Sequence, residues 1–179
     1  MLKRMVAVVA VREDKKELII ENAVGVFAER GYYKATTAMV AKAAGVTQPY
    51  VFHFFENKEE LFKAVIDRAF SRIYDTFAKI QAPADRLIET MGHAFEQIIQ
   101  THRDEVLMVM QAYAISDIGI REHVRNLFLT IFESLTLKFE NAGISNAKEI
   151  ASQFIGTGLL ITLAEVLNLP QLTPGKDNC

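Results

Sequence analysis

The side chains of this 179-residue sequence whose types and spacing suit chemistry fall in two places. The first is Thr47-Gln48-Pro49-Tyr50, followed closely by Phe52, His53 and Lys58. A glutamine amide can bond an adenine edge bidentately, and proline or tyrosine carbons can touch a thymine methyl. His53 and Lys58 suit the phosphates that flank such bases. The second is Glu89, His93 and Glu96, whose i, i+4, i+7 spacing puts them on one helix face, where they could ligate a cation. The opposite face, Leu87, Ile88, Met91, Phe95, Ile98 and Ile99, is apolar, so the acidic side reads better as a solvated surface. A di-metal bundle needs repeated Glu-x-x-His pairs, which the sequence lacks. It also has no phosphate-cradling glycine loop and no Ser/His/Asp motif, and its one cysteine, Cys179, sits in a polar tail without a fixed base. No metal, no cofactor and no catalysis is expected.

These residues need a scaffold, and the sequence offers helices. Prolines occur only at 49, 83, 170 and 174, apolar residues recur at three and four positions, and an all-α chain is predicted. The first helix should run from about Asp14 to Arg30, bury Ile19, Ala23, Val26 and Phe27, and stop at Gly31. Gly25 inside it costs about 1 kcal/mol relative to alanine, a position that close packing would account for. A short helix capped by Thr36 or Thr37 should end at Ala44. The next begins with Thr47 as N-cap, carries Pro49 in its first turn and ends near Phe54. Asn57 and Glu60 form a capping-box variant ahead of a helix that reaches about Ile80. Further helices are predicted near 84–101, 104–116, 118–142 and 146–168. The pair joined through Ala44-Gly45-Val46 has the length and turn chemistry of a helix-turn-helix, with Val40, Ala41, Ala44, Val46 and Val51 as its small core.

Composition sets the outer bounds. With 50% apolar and 23% charged residues, the chain can bury a core and is not of disordered composition. The net charge of −2 hides an uneven distribution. Arg30, Lys34, Lys42 and Lys58 face only Glu56 within residues 30–58, whereas residues 63–179 are net acidic, so any nucleic-acid contact rests on the first segment. A single cysteine suits a reducing cytoplasm. The run Phe154–Ala164 stops at Glu165 and falls short of the ~20 apolar residues that span a membrane. Lys3 and Arg4 ahead of Met5–Val11 only faintly resemble a signal peptide, and a mobile arm is the plainer reading.

The ordered motifs Val26-Phe27-Ala28-Glu29-Arg30-Gly31-Tyr32, Ala35-Thr36-Thr37, Val40-Ala41, Ala44-Gly45-Val46-Thr47 and Phe52-His53-Phe54-Phe55-Glu56-Asn57-Lys58-Glu59-Glu60-Leu61 resemble the tetracycline-repressor (TetR) family of bacterial transcription regulators. The resemblance covers roughly residues 15–65. It implies a three-helix DNA-binding head, a linking fourth helix and a helical ligand-binding and dimerisation body. On that resemblance Thr37 bonds a phosphate, Gln48, Pro49 and Tyr50 face bases, and Lys58 meets a phosphate. Phe52 and Phe54 stand where the family commonly has polar aromatic residues, so Phe52 is left with apolar contact to sugar or thymine methyl. The expected division is a flexible arm (1–13), the head (14–62), the body (63–170) and a flexible tail (171–179).

The implied function is a cytoplasmic homodimer that represses transcription from a palindromic operator and is released by a small, largely apolar effector. The alternative is a helical small-molecule-binding or metal protein whose head does not bind DNA. No membrane partner is expected. For the dimer surface the stripe Val124, Phe128, Ile131, Leu135 and Phe139 is predicted, together with Phe154, Gly158 and Ile161 of an all-round apolar helix. For the effector, Met91, Phe95, Met108, Met110 and Tyr113 are available, methionine being adaptable to irregular apolar shapes. No pair of charges marks the middle helices.

Overall fold

The computed structural model describes the backbone of residues 2–173 and the side chains of residues 12–173. Its helices are α1 (Leu2–Lys34), α2 (Thr37–Ala43), α3 (Gln48–Phe52), α4 (Lys58–Lys79), α5 (Ala84–Thr101), α6 (Arg103–Ala112), α7 (Ile118–Asn141) and α8 (Ala147–Leu167), followed by a 3₁₀ turn at Pro170–Leu172. The fold is all-α, with no strand among the described residues. α1 is longer than expected. Residues 2–13 are helical rather than an arm, because no proline or glycine precedes Gly25 to interrupt the helix. Its regular part ends at Gly31 (φ 70°), where a left-handed stop is expected, and a short turn follows. Gly25 has no packing role: a Cβ there would meet nothing within 4 Å. Of the expected tail, residues 174–179 lie outside the described residues.

The local signals place the other helices well. Thr36, not Thr37, caps α2, accepting a hydrogen bond from the Met39 N–H at 3.2 Å. Asn57 caps α4 through the Glu60 N–H at 2.9 Å, while Asp117 caps α7 through the Ile120 N–H at 3.1 Å. Thr47 occupies the N-cap of α3 without a side-chain capping bond.

Packing joins head and body into one structure. Ile19, Ala23 and Phe27 of α1, Val40 of α2, Val51 of α3 and Leu61 and Phe62 of α4 share a buried cluster with Met108, Val109 and Ala112 of α6 and Val124 of α7. Phe27 meets Phe62 edge to face at 5.0 Å. The division expected between residues 62 and 63 therefore falls inside α4 and inside a continuous core.

The stripe expected to form a dimer surface is turned inward instead. Val124, Leu135 and Phe139 are buried in the chain's own core, and Ile161 packs on Ile98, Ile99 and Val106. Phe128, Ile131, Phe154 and Gly158 wall a cavity described below. The apolar faces of α4, α5 and α6 require cover, and α7 and α8 supply it from the same chain. What α8 leaves outward is a second apolar face: Leu159, Leu160, Leu163, Val166 and Leu167 are all exposed. α8 is in fact long and apolar enough to cross a membrane by length and composition, its window reaching a mean hydropathy of 1.6 despite the terminal charges.

A charge cluster missing from the sequence expectations ties three helices together. Glu105, in the first turn of α6, is 5% exposed and accepts two hydrogen bonds from Arg72, at 2.7 and 3.2 Å. Arg68, one turn earlier on α4, approaches the same carboxylate at 3.1 Å and Glu17 of α1 at 3.8 Å. Glu105→Ala strands two guanidinium groups against a largely dry site. Because both arginines keep some solvent contact, the expected loss is about 2–3 kcal/mol, below that of a fully buried pair. Urea denaturation measures it, and a loss under about 0.5 kcal/mol would place the cluster with ordinary surface pairs.

Candidate DNA-contact surface and body cavity

Gly45 (φ 65°) reverses the chain between α2 and α3, and the Val46 N–H bonds back to the Ala41 carbonyl at 2.9 Å. The turn sets α3 at the surface. Of its residues only Val51 is buried, fully, while Gln48, Pro49, Tyr50 and Phe52 are exposed, as are the flanking Thr47 and His53. One inward anchor thus leaves the remaining side chains free for an outside partner. Their aromatic members form a connected group, with Tyr50 stacked along His53 at 6.2 Å and Phe54 edge-on to both, at 5.3 and 5.2 Å.

Two expected contact residues are engaged inside the head. Thr37 is 7% exposed, and its Oγ1 accepts a hydrogen bond from Gln48 Nε2 at 2.9 Å. Thr37 therefore orients Gln48 rather than facing outward to a phosphate; the true cap, Thr36, is the exposed one. Lys58 also turns in. Its ammonium donates to the Tyr32 carbonyl at 3.0 Å and lies 4.4 Å from the centroid of the Tyr32 ring, clasping the end of α1 to the start of α4.

The body holds an apolar cavity of about 80 Å³. α4 contributes Phe70, Ile73 and Phe77; α6 contributes Val106, Val109 and Met110; α7 and α8 contribute Phe128, Ile131, Leu135, Phe154 and Gly158. Phe95, Met110 and Tyr113 line it, whereas Met91 and Met108 do not: both are fully buried in neighbouring clusters. Met108 lies about 200° around α6 from both Val106 and Met110, so it points to the other side of the helix. Met91 shares the Phe95 face of α5 but sits a turn away, against Leu87 and Phe139. No charged side chain lines the cavity. Thr162 is there, but its hydroxyl is spent on the Gly158 carbonyl at 2.8 Å. Tyr113 is 41% exposed at the mouth, and burial of the rest of its ring raises the phenol pKa, keeping the hydroxyl neutral. Phe128, Ile131 and Leu135 belong to the apolar stripe of α7, whose spacing fits a dimer face equally well.

Head and cavity are wired together by polar contacts as well as by core. Gln111 on α6 donates to the Ala28 carbonyl of α1 at 3.2 Å, and the Tyr33 hydroxyl meets Ser116 Oγ at 2.7 Å. An exposed short helix behind a glycine turn, braced by a three-helix core, has the architecture of a helix-turn-helix head, and it stands on a helical body with an apolar cavity.

Comparison with known proteins narrows the class. Residues 19–65 match the family described as bacterial regulatory proteins, tetR family. The HTH-type transcriptional regulator YhgD of Bacillus subtilis is 26% identical over 137 residues, covering 75% of this chain and 72% of that protein. The AcrR regulator of Shigella flexneri is 26% identical over 137 residues, covering 70% of this chain and 64% of its own. Among solved structures, Salmonella enterica GusR superposes with a TM-score of 0.72 at 19% identity, over 87% of this chain and 86% of that one. AibR, solved with isovaleryl coenzyme A and operator DNA, gives 0.66 at 20% identity over 89% and 98%. FadR of Bacillus subtilis, solved with stearoyl-CoA, gives 0.63 at 19% identity over 90% and 99%. Residues 19–65 thus form a head of the TetR family of bacterial regulatory proteins, on a body with the fold of the solved regulators.

The clasp at Lys58 has a measurable consequence. Lys58→Met keeps the apolar stem but loses the charged hydrogen bond and the ring contact, which together are worth about 1–2 kcal/mol. Urea titration should show that loss; unchanged stability would mean that the ammonium is not held in solution.

Proposed function

We propose that the protein is a cytoplasmic repressor, a homodimer that occupies a palindromic operator and leaves it when a small, largely apolar effector enters the body. It works by binding and not by catalysis. The observation that carries this reading is α3, which buries Val51 and exposes Gln48, Pro49, Tyr50, Phe52 and His53. Gln48, held by Thr37, reads a base edge, and Pro49 and Tyr50 give apolar contact to bases. Thr47 and His53 meet phosphates, and Phe52 lies against sugar or a thymine methyl. One such helix reads too few base pairs for selectivity, so two copies on a two-fold axis are required.

The outward leucines of α8 suit the dimer contact in place of the inward stripe. An exposed apolar row of this kind favours a matching copy of itself across a two-fold axis. The cavity supports the effector. Its enclosed wall is apolar, so the enclosed part of a ligand is uncharged, and any polar group stays at the Tyr113 mouth. The acyl-CoA complexes of AibR and FadR support a ligand with an acyl portion. At about 80 Å³ the cavity is smaller than the ~150 Å³ void that accepts benzene, so an occupant must move its walls. Two of those walls are α4 and α6, and α4 carries the head. Such a ligand releases DNA only by binding the displaced arrangement of the heads more tightly.

Selection from a random-sequence duplex pool should enrich a palindrome whose half-sites lie roughly 34 Å apart. Gln48→Ala should relax one base position per half-site, at a cost of about 1–3 kcal/mol. Enrichment of no palindrome contradicts the reading. In solution at micromolar concentration the chain should have twice its monomer mass, and Leu163→Glu should halve it. A wild-type monomer that partitions into lipid vesicles would assign the α8 face to a membrane instead.

A further inference from the structure

The start of α1 carries two cations beside the recognition helix. The Arg12 guanidinium carbon lies 5.8 Å from the centroid of the Phe54 ring, and that ring is edge-on to Tyr50 and His53. One turn along α1, the Lys16 ammonium lies 5.8 Å from the Phe55 ring. Both cations are exposed, and neither has an ion-pair partner among the described residues. Residues 1–11 contain no acid. The aromatic group of Tyr50, His53 and the half-buried Phe54, at and just after α3, therefore continues into an unpaired guanidinium on a different helix.

We propose that Arg12, seated on Phe54, forms with Lys16 a phosphate-binding flank of the DNA-contact surface, gripping the backbone beside the groove that α3 enters. This rests on the reading that α3 meets DNA. A ring beneath a guanidinium occupies one of its faces and leaves the in-plane N–H fork free, which is the geometry a phosphate accepts bidentately. The contact also limits the rotamers of a long side chain before DNA arrives, so less freedom is lost on binding. It gives Phe54 a task that needs no polar group: the ring is a platform, and the guanidinium it holds supplies the donors. Phosphate contacts carry no base information. The flank therefore adds affinity and salt dependence while leaving sequence preference to Gln48 and Tyr50.

The test uses the full-length chain and the duplex enriched from the random pool, titrated across salt concentrations. Each head presents one Arg12, so Arg12→Ala should remove two contacts per dimer. The slope of log affinity against log salt should become shallower by about 2. Affinity near 0.1 M salt should fall on the order of tenfold, with the preferred sequence unchanged. Arg12→Lys should restore much of the slope but less of the affinity, because lysine lacks the fork. Phe54→Leu should weaken binding in the wild type but add little to Arg12→Ala, since the ring acts through the guanidinium. Arg86→Ala, an exposed cation on α5, should change nothing. If Arg12→Ala binds with wild-type affinity and slope, the flank is wrong while the DNA reading stands. A changed base preference at an unchanged slope would also overturn it, since Arg12 would then act by shaping α3. A wild-type chain that binds no duplex removes both proposals.

Discussion

α4 runs through one continuous core from the head into the body. Its first turns bury Leu61, Phe62 and Val65 and its later turns bury Ile66, Ala69 and Phe70, in a cluster shared with α1, α6 and α7. A rigid helix buried at both ends cannot tilt at one end alone, because close-packed side chains do not deform smoothly. The helix that packs on α1 of the head is thus also a wall of the cavity, through Phe70, Ile73 and Phe77. Polar contacts reinforce the same arrangement. Glu105 pins α4 to α6 through Arg72 and Arg68, and Lys58 clasps α4 to the end of α1. Anything that changes the width of the body at α4 and α6 must therefore be felt at the head.

The cavity and the exposed face of α8 arise from one allocation of apolar surface. α7 and α8 close over α4, α5 and α6 and bring aromatic rings together there. Phe77 and Phe154 meet edge-on at 5.5 Å, Phe70 and Phe128 at 5.2 Å, and all four rings line the cavity. An all-round apolar helix then has a second face to cover. At about 25 cal/mol per Å² of apolar surface removed from water, covering that row of leucines is a substantial driving force for assembly.

Local signals made much of this legible in the sequence. Caps at Thr36 and Asn57, the turn at Gly45 and the apolar spacing of Ile19, Ala23 and Phe27 act within a few residues of themselves, and the helices they define are present. The outward residues of α3 were legible for the same reason, since a helix that short needs only one inward anchor. The partners of long-range contacts were not legible. An apolar stripe such as Val124, Phe128 and Leu135 has the same spacing whether it faces its own chain or a second copy. Glu105 gave no hint of Arg68 and Arg72, which lie on a different helix. Thr37 and Lys58 have side chains that suit phosphates, and only the folded head shows them bonded to Gln48 and Tyr32. Met91 and Met108 had the right chemistry for a cavity wall, but the rotation of α5 and α6 in the bundle decided where they point.

A core continuous through α4 makes head and body one cooperative unit. Native-state amide hydrogen exchange tests it by comparing the opening free energies of buried amides in α1, at Ile19–Phe27, with those in α6, at Met108–Ala112. The shared core predicts equal opening free energies that fall together as denaturant is added. A head whose amides open at a distinctly lower free energy, with α6 still protected, would show that the two fold separately.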